Sequence, residues 1–152
     1  MMSDKITDPM VKGIIADCSY TSAWDEFAYQ LKNPFGLPAF PLLYIFDLYC
    51  RIICKYSLRD ASPIKAVRGA KVPILFIHGA KDALVPVKMQ KELFDACPTQ
   101  KEMLTVENAV HAQSYYTDPR AYEAAAEKFI NECENTENTP ALSAPGGGKQ
   151  IG

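Results

Sequence analysis

The sequence predicts a parallel α/β fold, and three observations carry that expectation. Strand-like and helix-like segments alternate three times with short joins, the pattern of a parallel sheet with helices packed on its faces. The strand at 72–77 is a run of β-branched and aromatic residues without polar alternation, so it reads as buried on both faces. Each strand ends in a loop that bears an acid or a histidine: Asp17, Asp82 or His111. In open α/β sheets, ligand chemistry collects outside the carboxyl ends of the strands, which makes those three residues site candidates.

In chain order, 1–9 is polar and aperiodic, and 11–17 is a short apolar run ending in Asp17, the first strand. Ser22 and Asp25 are spaced as a capping box, and Trp24, Phe27, Ala28 and Leu31 repeat at helical spacing, so a helix follows. Between 33 and 58 the character changes. Pro34, Pro38 and Pro41 precede a strongly apolar stretch at 40–46, which Asp47 and Arg51 keep from reaching the length of about 20 residues that a membrane span requires. A lid-like helical insertion is expected there, its aromatic residues serving as core or as the wall of an acyl pocket.

Ser62-Pro63 signals a helix start ahead of the central strand. Gly79 permits a sharp turn that delivers Asp82. Met89, Leu93 and Ala96 or Cys97 then mark one face of a helix that Pro98 ends. A third strand at 102–106 leads into a loop bearing His111. Asp118-Pro119 caps a last helix whose Tyr122, Ala125, Phe129 and Cys133 face a core. From 134 to 152 the composition turns to Asn, Thr, Pro, Gly and Ser, and a disordered tail is expected.

Composition narrows the function classes. A chain of 152 residues, 48% apolar and 22% charged, suits one soluble domain that buries roughly 70% of its unfolded surface. A formal charge of −2 supplies no basic field for nucleic acid or an anionic membrane, so neither is expected as a partner. The five cysteines are odd in number and lack a CxxC spacing, and 1–9 shows no basic-then-apolar leader. Reduced thiols in a cytoplasm are the expectation. Cys50 and Cys54 could share a helical face, but zinc usually takes four ligands and the chain has two histidines, so no metal and no cofactor are expected.

The turn His78-Gly79-Ala80-Lys81-Asp82, the Val85-Pro86 after it and the Ala109-Val110-His111 loop make 11–133 resemble the C-terminal half of an α/β-hydrolase, of the serine esterase and serine aminopeptidase kind. The resemblance implies a triad in the order Ser, acid, His, with the acid at Asp82 and the base at His111. Asp17 competes for the acid role, because some members of the family place the acid after that earlier strand. His78, at the junction of strand and turn, is expected to be structural, its ring bonding loop backbone.

The family's Gly-x-Ser-x-Gly elbow occurs nowhere in the sequence. The resemblance begins at the family's sixth strand, so it implies a fragment of a serine hydrolase of ester or peptide-like bonds that is inactive alone. Its substrate would be a small ester or peptide-like molecule once an N-terminal half completes it. The rival expectation is a non-catalytic binding or assembly module. The uncharged strand at 11–17, interior in the full fold, would be an exposed edge here, with self-association as the expected consequence.

Overall fold

The computed structural model describes residue 6 and residues 8–135, and within them the α/β expectation is met. Three parallel strands, β1 (Ile14–Asp17), β2 (Ile74–Gly79) and β3 (Lys101–Val106), lie in the order β1-β2-β3. Ile14 is level with Ile74, and Ile74 with Lys101. All six residues of β2 are buried, as its unbroken apolar run requires of a strand covered on both faces.

Six helices accompany the sheet: α1 (Ala23–Lys32), α2 (Leu42–Tyr49), α3 (Pro63–Arg68), α4 (Val87–Ala96), α5 (Ser114–Thr117) and α6 (Pro119–Asn135). On one face of the sheet Ile74 and Phe76 pack with Val67 of α3 and Leu93 of α4. On the other, Leu75 and Ile77 meet Phe129 and Cys133 of α6. The alternation of β2 side chains between the two clusters is the period of two that any strand imposes. Gly13 lets α6 come close, since a Cβ there would sit 2.8 Å from Cys133 Sγ.

The helix starts follow the local chemistry. Ser22 Oγ accepts the Asp25 N–H at 3.0 Å, and Asp118 Oδ1 accepts that of Ala121 at 3.0 Å. Such caps are each worth about 1 kcal/mol. The last helix runs on through Asn135, two residues into the stretch expected to be tail; residues 136–152 lie outside the described residues.

The 33–58 segment forms α2 and a π-helical turn at Cys50–Cys54. It has a small core of its own, in which Leu43, Cys50 and Leu58 pack against Trp24, Ala28 and Leu31 of α1. Phe27, which shares the helical spacing of Trp24, Ala28 and Leu31, is largely exposed and meets Phe46 edge to face at 5.8 Å. The reason is that α1 leans on this segment and buries no residue fully. Much of the aromatic stretch faces outward, including Phe40, Ile45 and Leu48. No helix among the described residues is long and apolar enough to cross a membrane.

Asp47 ties the segment down. Its Oδ1 accepts the Ser57 hydroxyl at 2.8 Å and the Leu58 N–H at 2.7 Å, and Arg51 Nε donates to Oδ2 at 2.9 Å. Burial pushes this carboxyl up, but the Ser57 and Leu58 bonds and the Arg51 charge outweigh it and hold the pKa below its ordinary value. A depressed folded-state value means that the stabilisation is complete above the unfolded carboxyl's range, near pH 4, and is lost as pH falls through the folded value. Trp24, the single tryptophan, reports on this region, because it packs on Tyr44 and under Arg59. We expect its fluorescence to change on acidification below about pH 4 before global unfolding, and Asp47→Ala to produce the same change at neutral pH. An acid transition unaltered by Asp47→Ala would show that another group controls the segment.

Candidate active site

The site forms where the turn after β2 and the loop after β3 press together. Gly79 makes this approach possible: a Cβ built there would lie 2.4 Å from the Ala109 carbonyl oxygen and 2.9 Å from that of Val110. Backbone bonds lock the contact, with Ala80 N–H donating to Val106 O and Lys81 N–H to Ala109 O, each at 2.9 Å. A side chain at Gly79 would therefore wedge the two loops apart, and with them the acid and the histidine.

Asp82 and His111 are brought together. His111 Nδ1 stands 2.8 Å from Asp82 Oδ2, and the Asp82 side chain is wholly buried while that of His111 is 37% exposed. The carboxylate accepts, so Nδ1 carries the proton and Nε2 is left as the basic nitrogen on the exposed ring. The other oxygen, Oδ1, accepts the Leu84 N–H at 2.9 Å and the Val85 N–H at 2.8 Å. Four polar contacts thus surround the acid, the fourth from His78 Nε2, 3.3 Å from Oδ2.

Asp17 is placed elsewhere. It is exposed at the end of β1 and accepts the Tyr122 hydroxyl at 3.3 Å. His78 does bond loop backbone, its Nε2 lying 2.9 Å from Val85 O.

Three residues reach the site without having been singled out from sequence. Cys18 follows β1 in the left-handed region at φ 50, and its Sγ accepts the N–H of Ala112, itself at φ 56. That bond ties the His111 loop to β1. Glu26 and Gln30 approach from α1: Gln30 Nε2 donates to Glu26 Oε1 at 3.1 Å and also to the Leu84 carbonyl. Burial, aided by the charge of Asp82, raises the Glu26 carboxyl above its ordinary value against the opposing pull of Gln30 and His111. A serviceable signal existed only for Cys18, which directly follows a strand-ending acid.

Cys18, Asp82 and His111 form the one group among the described residues whose donor atoms converge as metal ligands could, within 4.8 Å of one another. The arrangement is that of a hydrogen-bonded pair rather than of ligands around an ion. Asp82 is already saturated with N–H donors, and His111 Nδ1 spends its proton on it. Burial pushes the Cys18 thiol up to about 11 despite the Ala112 bond, with the carboxylates of Asp17 and Asp82 adding to the rise. A two-unit rise leaves roughly a hundredfold less thiolate at pH 8 than an unperturbed thiol has. Iodoacetamide is therefore expected to alkylate exposed Cys54 far ahead of Cys18, as peptide mapping over a time course would record. Equal rates would contradict the raised thiol of partly buried Cys18.

Comparison with known proteins fits this geometry. The solved structures it is similar to include the acylaminoacyl peptidase of Pyrococcus horikoshii, at TM-score 0.57 and 15% identity over 88% of this chain and 21% of that one. An esterase of Pyrococcus furiosus matches at TM-score 0.56 and 18% identity, over 83% of this chain and 46% of that one. At such identities the likeness establishes the α/β-hydrolase fold. Among curated proteins, the uncharacterized protein YqkD of Bacillus subtilis (strain 168) is 30% identical over 122 residues. The alignment takes in 80% of this chain and 40% of that relative's length. The family model described as "Serine hydrolase (FSH1)" matches residues 7–112, a stretch that holds all three strands, Asp82 and His111, and the chain accordingly belongs to that serine hydrolase family.

Proposed function

We propose that these residues supply the acid and the base of a serine hydrolase acting on carboxylic esters or peptide-like bonds, and that the serine nucleophile lies outside the 152 residues. The observation that carries the proposal is the 2.8 Å contact between wholly buried Asp82 and half-exposed His111. In that arrangement the carboxylate fixes the ring's tautomer and stabilises the imidazolium that forms when Nε2 takes a proton from a hydroxyl nucleophile. On collapse of the tetrahedral intermediate, the same nitrogen returns the proton to the leaving alkoxide or amine.

The missing Gly-x-Ser-x-Gly elbow and the 40% share of the curated relative support placing the nucleophile on a segment beyond this sequence. Residues 10–133 then act as the C-terminal portion of the hydrolase domain, and 33–58 as a lid whose outward aromatic residues select apolar acyl or side-chain groups. The five free cysteines suit a reducing, cytoplasmic setting.

The 152 residues alone should hydrolyse activated aryl esters no faster than a His111→Ala control, and a fluorophosphonate probe should leave them unlabelled. Stoichiometric labelling of a serine in this chain would overturn the proposal. When the chain is completed by the segment carrying the nucleophile, Asp82→Asn should lower kcat by up to ~10⁴ and Asp17→Asn far less. The reverse order would move the acid role to Asp17.

The edge of β1 belongs to the same reading. Val11 and Ile15 are exposed there, and a cleft of about 310 Å³ lined by Val11, Ile14, Ala16, Phe76 and Leu93 opens beside them. With its unpaired backbone groups, this edge should make the isolated chain associate with itself. Size-exclusion chromatography with light scattering should find oligomers that Ile15→Lys reduces. A monodisperse monomer would instead favour a self-sufficient binding module.

A further inference from the structure

The 33–58 segment is folded inside out. From Leu42 to Cys54, α2 and the π-helical turn that continues it bury one stripe, made of Leu43, Asp47 and Cys50. The opposite stripe, Ile45, Leu48, Tyr49, Ile52 and Ile53, recurs every three or four positions and faces solvent, with Ile45 62% and Ile53 60% exposed. A surface helix ordinarily shows the reverse, apolar side chains toward the core and polar ones outward. The charges follow the same inversion. Both carboxylates of 33–60 turn inward: Asp47 is saturated by Ser57, Leu58 and Arg51, and Asp60 Oδ2 accepts the Ser57 N–H at 2.8 Å. Lys32 ahead of the segment and Lys55 just past the π-helical turn are exposed and make no ion pair among the described residues. The exposed rings of Tyr49 and Tyr56 end in hydroxyls without a partner among the described residues.

We propose that this face docks on a lipid surface, and specifically on one that carries anionic headgroups. The helix lies in the plane of the interface with its apolar stripe among the acyl chains. At the edges of that stripe, lysine and tyrosine suit the headgroup layer, where their polar ends meet phosphate and water. A protein closing over the same face would have to supply carboxylates for the lysines and acceptors for the hydroxyls, or leave them buried and unpaired. The formal charge of −2 is a total over the chain; at this face the carboxylates are spent internally and the lysines are not. Docking there is independent of the acid and base roles of Asp82 and His111.

Flotation through a density gradient tests this on the 152-residue chain, because self-associated protein stays at the bottom and only vesicle-bound protein rises. We expect the chain to float with vesicles of phosphatidylcholine and phosphatidylglycerol, and more weakly with phosphatidylcholine alone. Lys55→Gln should weaken binding to the anionic vesicles about fivefold. Ile45→Glu combined with Ile53→Glu, two exposed positions outside the segment's core, should stop flotation, whereas Ile15→Lys at the β1 edge should leave it unchanged. The chain completed by the segment carrying the nucleophile should float as well. Absence of flotation overturns the proposal, and so does flotation that Ile15→Lys abolishes while the double variant keeps it. Equal binding to both vesicles overturns the anionic preference. If the double variant instead turns oligomers into monomers and the unaltered chain stays off vesicles, the face belongs to a second copy. A completed chain that no longer floats gives the face to the missing segment.

Discussion

The burial of one carboxylate governs much of this molecule. Asp82 is taken wholly out of water, and an ion moved from water into a protein interior costs several kcal/mol unless donors replace the lost solvent. Here the donors come from separate places: the turn that follows Asp82 and the loop after β3. Satisfying the charge therefore fixes the relative positions of these parts. Gln30 adds α1 to the assembly through the Leu84 carbonyl, one residue from the Val85 N–H that the acid holds.

The same demand explains the glycine after His78. Turns that must both present groups to one small carboxylate have to touch through their backbones, and only a residue without a Cβ tolerates the Ala109 carbonyl at that range. Cys18 serves from the opposite side, with Sγ accepting the Ala112 N–H next to His111. Two non-glycine residues in the left-handed region, Cys18 and Ala112, meet at this bond. Such conformations persist where the surroundings over-determine them, and they cluster at functional sites.

Elements with a local cause were legible in the sequence. The unbroken run in β2 announced a strand buried on both faces, and the Ser22 and Asp118 caps announced α1 and α6, because strand period and capping act within a few residues. The acid and the histidine were legible through the turns that carry them. By contrast, α5 is four residues long and has no period to detect. The Cys18 contact joins residues 94 apart and so leaves no local signal. The outward turn of Phe27 had a similar cause: helical spacing defined an apolar face on α1 but could not say that the 33–58 segment, rather than the sheet, would lie against it.

The strand register carries a consequence for the order in which this fold assembles. Ile74 pairs with Lys101, 27 positions on, and with Ile14, 60 positions back, so the stretch of chain closed by pairing β1 with β2 is about twice as long as the one closed by pairing β2 with β3. Each doubling of loop length adds roughly 0.6 kcal/mol of closure entropy, and the longer loop here must also organise α1 to α3 before its ends meet. The β2–α4–β3 unit can therefore nucleate first, with β1 docking onto it afterwards. Asp82 lies on this shorter closure and His111 on the loop that directly follows β3, so their contact needs no part of β1, whereas the Cys18 tether requires β1 to be in place.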